Sequence, residues 1–131
     1  MTTRVVSQDR IGPWARAGLI VSTDLAGNDG RGFANIAVTP DNGCVFSFDS
    51  NGGGRLDRTA QAPGSAPLWV RLSRSGVTVT GSCSADGTTW TAAGSFAVPA
   101  GAALDAGLFM TAANGWTGTR GAVEFDGFVV S

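Results

Sequence analysis

The chain has no histidine, no lysine and no tyrosine, a single glutamate (Glu124) and only two cysteines, Cys44 and Cys83. Each shortage closes a class of chemistry. Without His there is no imidazole base for a Ser or Cys nucleophile, and without Lys the usual substitute base is missing too. No C-x-x-C pair occurs, so a zinc site has no support. The two Cys read equally as one disulfide in an oxidising location or as two buried thiols. No apolar run approaches the roughly 18 residues of a membrane helix, so no membrane span is expected. Met1-Thr2-Thr3-Arg4-Val5-Val6 has no apolar core of a secretory signal. The expected location is therefore extracellular, as a piece of a longer secreted protein, or the virion. The nine basic residues are all Arg, they are scattered, and net charge is −1. That gives no basic field for nucleic acid or an anionic membrane. Gly52-Gly53-Gly54-Arg55 lacks the spacing and the following helix of a phosphate loop and reads as a flexible loop.

What is present points to strands. A length of 131 residues with 43% hydrophobic composition fits one domain, residues 1–131, with a real core. Twenty Gly punctuate short runs rich in Val, Thr and Ala. In 14–23 (WARAGLIVST), Ala17, Leu19 and Val21 share one face; Arg16, Gly18, Ile20 and Ser22 share the other. Further strands are expected at 33–39, 44–49, 68–74, 77–83, 90–98, 104–111 and 122–130, with a short one at 55–59. Pro40-Asp41-Asn42-Gly43 reads as a hairpin turn. Leu68, Val70 and Leu72 should face the core, with Trp69, Arg71 and Ser73 outward; Val77, Val79 and Cys83 should share an inward face. About eight strands at this spacing predict an all-β, antiparallel β-sandwich.

Five segments carry a family resemblance: 7–21 (SQDRIGPWARAGLIV), 34–48 (ANIAVTPDNGCVFSF), 66–76 (APLWVRLSRSG), 84–90 (SADGTTW) and 122–130 (AVEFDGFVV). Together they resemble the concanavalin A-like, laminin-G-like jelly-roll modules of bacterial extracellular proteins, often attached to glycoside hydrolases. The resemblance runs from Arg4 to Val130 and rests on core and turn positions, so it speaks to fold more than to ligand. Family members usually carry further strands before the segment matching Thr3-Arg4-Val5. A free N-terminal edge here would invite self-association or a covering partner.

The candidate residues follow. Glycosidases of this fold class pair Glu residues on one strand, as in E-x-D-x-x-E, whereas here Glu124 and Asp126 sit on a strand that matches a structural one. The chain is therefore read as a non-enzyme. The 84–90 segment resembles an Asp-box turn, in which Asp86 braces a hairpin and Trp90 packs beneath it. Asp24, Asn28 and Asp29 share a loop and offer oxygens that Ca²⁺ prefers. Their spacing matches no known binding loop, so a polar turn is the first reading and calcium the second; no other cofactor is expected. Sugars stack on Trp and hydrogen-bond to Asn and Arg, which singles out Trp69, Arg71, Asn114 and Trp116. Core packing is the competing role for each Trp. The expected function is a non-catalytic binding module with a glycan as partner. The alternative is an assembly protein, such as a virion decoration or tail component or an oligomerising accessory subunit, whose partner is a protein surface.

Overall fold

A computed structural model describes residues 1–9, 14–23, 33–50, 56–101, 103–111 and 122–130. Among these lie ten strands: β1 Thr2–Gln8, β2 Arg16–Ser22, β3 Ala34–Val38, β4 Cys44–Phe48, β5 Arg58–Ala62, β6 Leu68–Ser75, β7 Thr78–Ser84, β8 Thr91–Ala97, β9 Asp105–Thr111 and β10 Val123–Val129. They form two five-stranded antiparallel sheets. Sheet I has the order β10-β1-β6-β7-β8 and sheet II the order β5-β4-β3-β2-β9. No helix among the described residues is long and apolar enough to cross a membrane.

The two sheets form a sandwich around one apolar cluster. Sheet II contributes Ala17, Leu19, Val21, Ile36, Val38 and Phe46; sheet I contributes Val5, Leu68, Val70, Leu72, Val79 and Phe96. These are the inward positions of the two-residue alternation, as expected of stacked antiparallel sheets. Phe46 sits at the centre, its ring centroid 5.8 Å from that of Phe48 and 6.0 Å from that of Phe96. It lies against Gly81 and Gly94 of the facing sheet, and a Cβ at Gly94 would come within 3.0 Å of its ring. Those glycines let a large ring lie directly on the opposite backbone. Cys44 of β4 and Cys83 of β7 form a disulfide between the sheets, with Cα atoms 6.6 Å apart. The open choice between thiols and a bridge is thereby resolved.

Three expectations are corrected. Residues 2–8 form a strand, which Thr3 and Val5 alone were too weak an inward signal to announce. That strand, β1, is paired on both sides, with β10 and β6, so it is not a free edge. The outermost strands are instead β10, β8, β5 and β9. The short strand expected at 55–59 falls at Arg58–Ala62. Val77 is 43% exposed, because Ser75-Gly76 turns the chain, with Gly76 at φ 61°, before β7 begins at Thr78. The hairpin at 40–43 is as expected: Gly43 has φ 73°, and the Thr39 N–H donates to the Gly43 carbonyl at 2.9 Å.

Candidate functional site

The residues singled out from the sequence separate. Trp69 and Arg71 lie on the outer face of sheet I, opposite the inward Leu68, Val70 and Leu72. Trp69 is half-buried. Its indole reaches from Gly127 in β10 to Gly87 in the β7–β8 turn, and a Cβ on either glycine would approach the ring to 3.0–3.1 Å. Both glycines have positive φ, 62° and 79°, so they supply turn geometry and room for the indole together. The Arg71 guanidinium carbon stands 4.1 Å from the Trp90 ring centroid, a cation–π contact. Asn114, Trp116, Asp24, Asn28 and Asp29 lie outside the described residues, so neither the aromatic loop nor the calcium reading is placed.

The bracing role read for Asp86 in 84–90 matches the local geometry, while the ring against the turn glycine Gly87 is that of Trp69. Asp86 Oδ1 accepts from the Thr88 and Thr89 N–H groups, each at 2.9 Å, and from the Ser84 hydroxyl at 2.9 Å. The Gly87 N–H donates to Ser84 Oγ at 2.9 Å. These bonds, the backbone donors foremost, hold the Asp86 carboxyl far below the usual carboxylate range. A cavity of about 320 Å³ lies beside this turn, lined by Pro63, Leu68, Cys83, Asp86 and Thr91 among others. Its carboxylate is already occupied in bracing the hairpin.

The outer face of sheet II is different. β3 is buried along its whole length, on both faces. On its outer side Asn35 is 2% exposed, and its neighbour Ser47 in β4 is 0% exposed. Polar side chains at such depth normally find partners, because an unpaired one costs about 1–3 kcal/mol. Ser47 has them. Its Oγ accepts from Arg16 Nη1 at 2.7 Å and lies 3.3 Å from Thr59 Oγ1. Asn35 Oδ1 and Arg16 Nε are buried with none among the described residues, as are Arg4 Nε and Arg71 Nε on sheet I. Burial lowers the Arg16 pKa from its ordinary value through desolvation.

The surrounding elements hold this arrangement in place. Arg16 begins β2, and the preceding Ala15 carbonyl accepts from Gln8 Nε2 at 3.1 Å. The same amide donates to the Val38 carbonyl at 3.2 Å, tying the ends of β1, β2 and β3. From β2 the Arg16 side chain crosses β3 to reach β4. Gly18 and Ala37, paired on that face, are small enough to let it pass. A Cβ at Gly18 would also meet the β3 backbone, 2.9 Å from the Ala37 Cα. On the other side Asp57 receives the Ser50 N–H and hydroxyl, both at 2.8 Å, which lowers its pKa and fixes the entry to β5 with Leu56 and Thr59. Arg16, Asn35, Ser47, Leu56, Thr59 and Thr111 line a cavity of about 290 Å³. That is near the lower limit of small-ligand pockets.

This site was not foreseen from the sequence. The signal that could have found it is the register. Asn35, Ser47 and Thr59 are polar interruptions that fall side by side across β3, β4 and β5, two of them in strands otherwise apolar.

No protein-family model and no curated protein matches this chain. Its fold is similar to a solved structure from Saccharomyces cerevisiae, described as a functionally unknown protein, at 21% identity and a TM-score of 0.64. The match covers 95% of this chain, which spans 62% of the length of the yeast chain. At that identity the likeness speaks to the fold alone.

Proposed function

We propose that this chain is a non-catalytic glycan-binding module of the concanavalin A-like, laminin-G-like jelly-roll type, with its site in the sheet II cavity. One observation carries the reading: Asn35 Oδ1, deeply buried and without a partner among the described residues, lines a cavity together with three hydroxyl side chains and a guanidinium. A sugar brings hydroxyls that both donate and accept, so it can bond to Asn35 and Arg16 while Leu56 meets its C–H face. A few such bonds in a small cavity give weak binding, with Kd on the order of 1 mM, about 4 kcal/mol. The acids that a hydrolase would recruit sit elsewhere: Glu124 is exposed on β10, and Asp126 pairs with Arg4 at 3.7 Å on sheet I. The disulfide supports an oxidising, extracellular or virion, location. The test is a titration of isotope-labelled protein with mono- and disaccharides. Shifts should cluster on Arg16, Asn35, Ser47 and Thr59, and an unchanged spectrum at tens of millimolar sugar rejects the proposal.

A second reading, assembly, is favoured by a separate feature. The outer strands β9 and β10 carry Leu108 and Met110, 43% and 47% exposed, and Phe128 and Val129, 43% and 55% exposed, with Val130 just beyond β10 at 71%. Apolar side chains on outermost strands invite pairing with a second copy. Sedimentation across a hundredfold concentration range decides: a constant monomer mass rejects assembly and leaves glycan binding standing.

A further inference from the structure

The geometry points to an acidic sugar, a uronic acid residue, as the ligand of the sheet II cavity, with Arg16 as the receptor of its carboxylate. This rests on the glycan-binding reading and narrows it to a substrate class.

Charge is unbalanced at this cavity. Arg16 is a partly buried guanidinium whose only hydrogen-bond partner among the described residues is a neutral hydroxyl, Ser47 Oγ at 2.7 Å. No carboxylate of the described residues forms an ion pair with it. Arg4 Nε and Arg71 Nε are likewise buried without a hydrogen-bond partner, but each of those cations has a counterpart that Arg16 lacks: Arg4 Nε lies 3.7 Å from Asp126, and Arg71 stacks on Trp90. A cation drawn out of water without a counter-charge is costly, and an arriving anion relieves that cost.

The shape of the guanidinium narrows the anion. Nη1 is held by Ser47, while Nε is unpartnered. Nε–H and the neighbouring Nη2–H form the parallel fork that matches the two oxygens of a carboxylate. Ser47 thus fixes the guanidinium by the nitrogen that the fork does not need. The cavity also lines Asn35, whose free Oδ1 accepts hydrogen bonds, as a hydroxyl group would give. One wall therefore wants an anion and another wants a hydroxyl donor, within about 290 Å³. A single sugar ring carrying both a carboxylate and hydroxyls satisfies both. A net charge of −1 supplies no general attraction for polyanions, so the selectivity must be local.

The experiment is a calorimetric or NMR titration of the full chain with glucuronic acid, galacturonic acid, glucose, galactose and acetate, at equal ionic strength and pH 7. The wild type should bind at least one uronic acid roughly tenfold or more tighter than its neutral counterpart, the scale of one charge-assisted bond. Acetate should be weaker than that uronic acid. Added salt should weaken the uronic acid and leave the neutral sugar unchanged. In Arg16→Gln the ratio of acidic to neutral sugar should fall to about one. Arg16→Lys keeps the charge without the fork and should fall between. Equal affinity of the wild type for acidic and neutral sugars overturns this inference and leaves the glycan-binding reading intact. Acetate binding as tightly as the favoured uronic acid overturns it as well, because the site would then read a bare anion. Binding of no sugar at all overturns the reading beneath it. The wild-type ratio decides the matter even if the Arg16 variants fail to fold.

Discussion

The two outer faces of the sandwich solve the same problem in opposite ways. Each carries Arg residues among polar and small side chains. On sheet I each cation has a counterpart, with Arg71 over the Trp90 ring and Arg4 beside Asp126, although the Nε of both lacks a hydrogen-bond partner, and the Asp86 carboxylate caps its turn. On sheet II a deeper cluster is left incomplete: among the described residues Arg16 is held only by Ser47, and Asn35 Oδ1 has no partner. A folded chain gains stability by completing such networks, so one left open beside a cavity, with a cation that lacks a counterpart, is the better marker of a ligand. The aromatic face, which composition recommends as the sugar platform, is thereby read as structural, and the plainer face as functional.

The largest perturbation acts on both faces alike. Replacing Cys44 and Cys83 by Ala removes the bridge between the sheets, and loss of a disulfide of this span costs about 2–4 kcal/mol. Denaturant unfolding should show that loss, while sugar affinity measured at low temperature in the folded protein stays within about twofold. Loss of binding in a folded double variant would mean that the cavity depends on the bridge, and the two faces would not be independent.

Trp69→Ala comes next. The indole is half-buried and spans Gly87 and Gly127. Its removal should cost about 2–3 kcal/mol, somewhat below the range for a fully buried ring. Affinity for sugar should not change. If binding disappears while the variant remains folded, the comparison is inverted and the site is on sheet I.

Asp86→Ala tests the completed network through pH. The folded-state pKa of Asp86 lies below its unfolded value, so its stabilisation is present above the ordinary carboxylate range, about pH 4. It is lost as pH falls through the depressed folded value. The melting temperature of the variant should therefore lie below wild type from pH 7 to about pH 4, and the gap should narrow as pH drops further. A gap that is constant down to about pH 2 would show that the lost side chain matters by packing and not by its charge.

The fold was largely legible because its core obeys strict alternation: Ala17, Leu19 and Val21, and Leu68, Val70 and Leu72, point inward as read. The turn at 40–43 and the bracing by Asp86 were legible for the same reason, since both are set by neighbours in sequence. β1 was not, because its place between β10 and β6 comes from partners more than 60 residues away. The cavity was hidden for a related reason. Arg16, Asn35, Ser47 and Thr59 look like ordinary outward polar positions on four strands, and only the register sets three of them side by side. Nor does alternation reveal that an outward face is itself buried, as it is along β3.

The smallest expected change in stability is the most informative one. Asn35→Leu replaces an amide by an apolar group of nearly the same size on a strand buried on both faces. If Asn35 served the fold, its loss would cost about 1 kcal/mol or more, as removal of a satisfied buried polar group does. Its Oδ1 has no partner to lose, and burying it is already unfavourable. Stability should therefore change by less than about 0.5 kcal/mol or rise slightly, while sugar affinity falls by about tenfold. Ser47→Ala supplies the contrast, because Ser47 holds Arg16 and lies beside Thr59 Oγ1. That variant should lose about 1 kcal/mol of stability as well as affinity. Denaturant titrations beside sugar titrations of the two variants separate the cases: a large stability loss in Asn35→Leu with sugar binding intact would make the open network a feature of the fold and remove the ground for placing a site on sheet II.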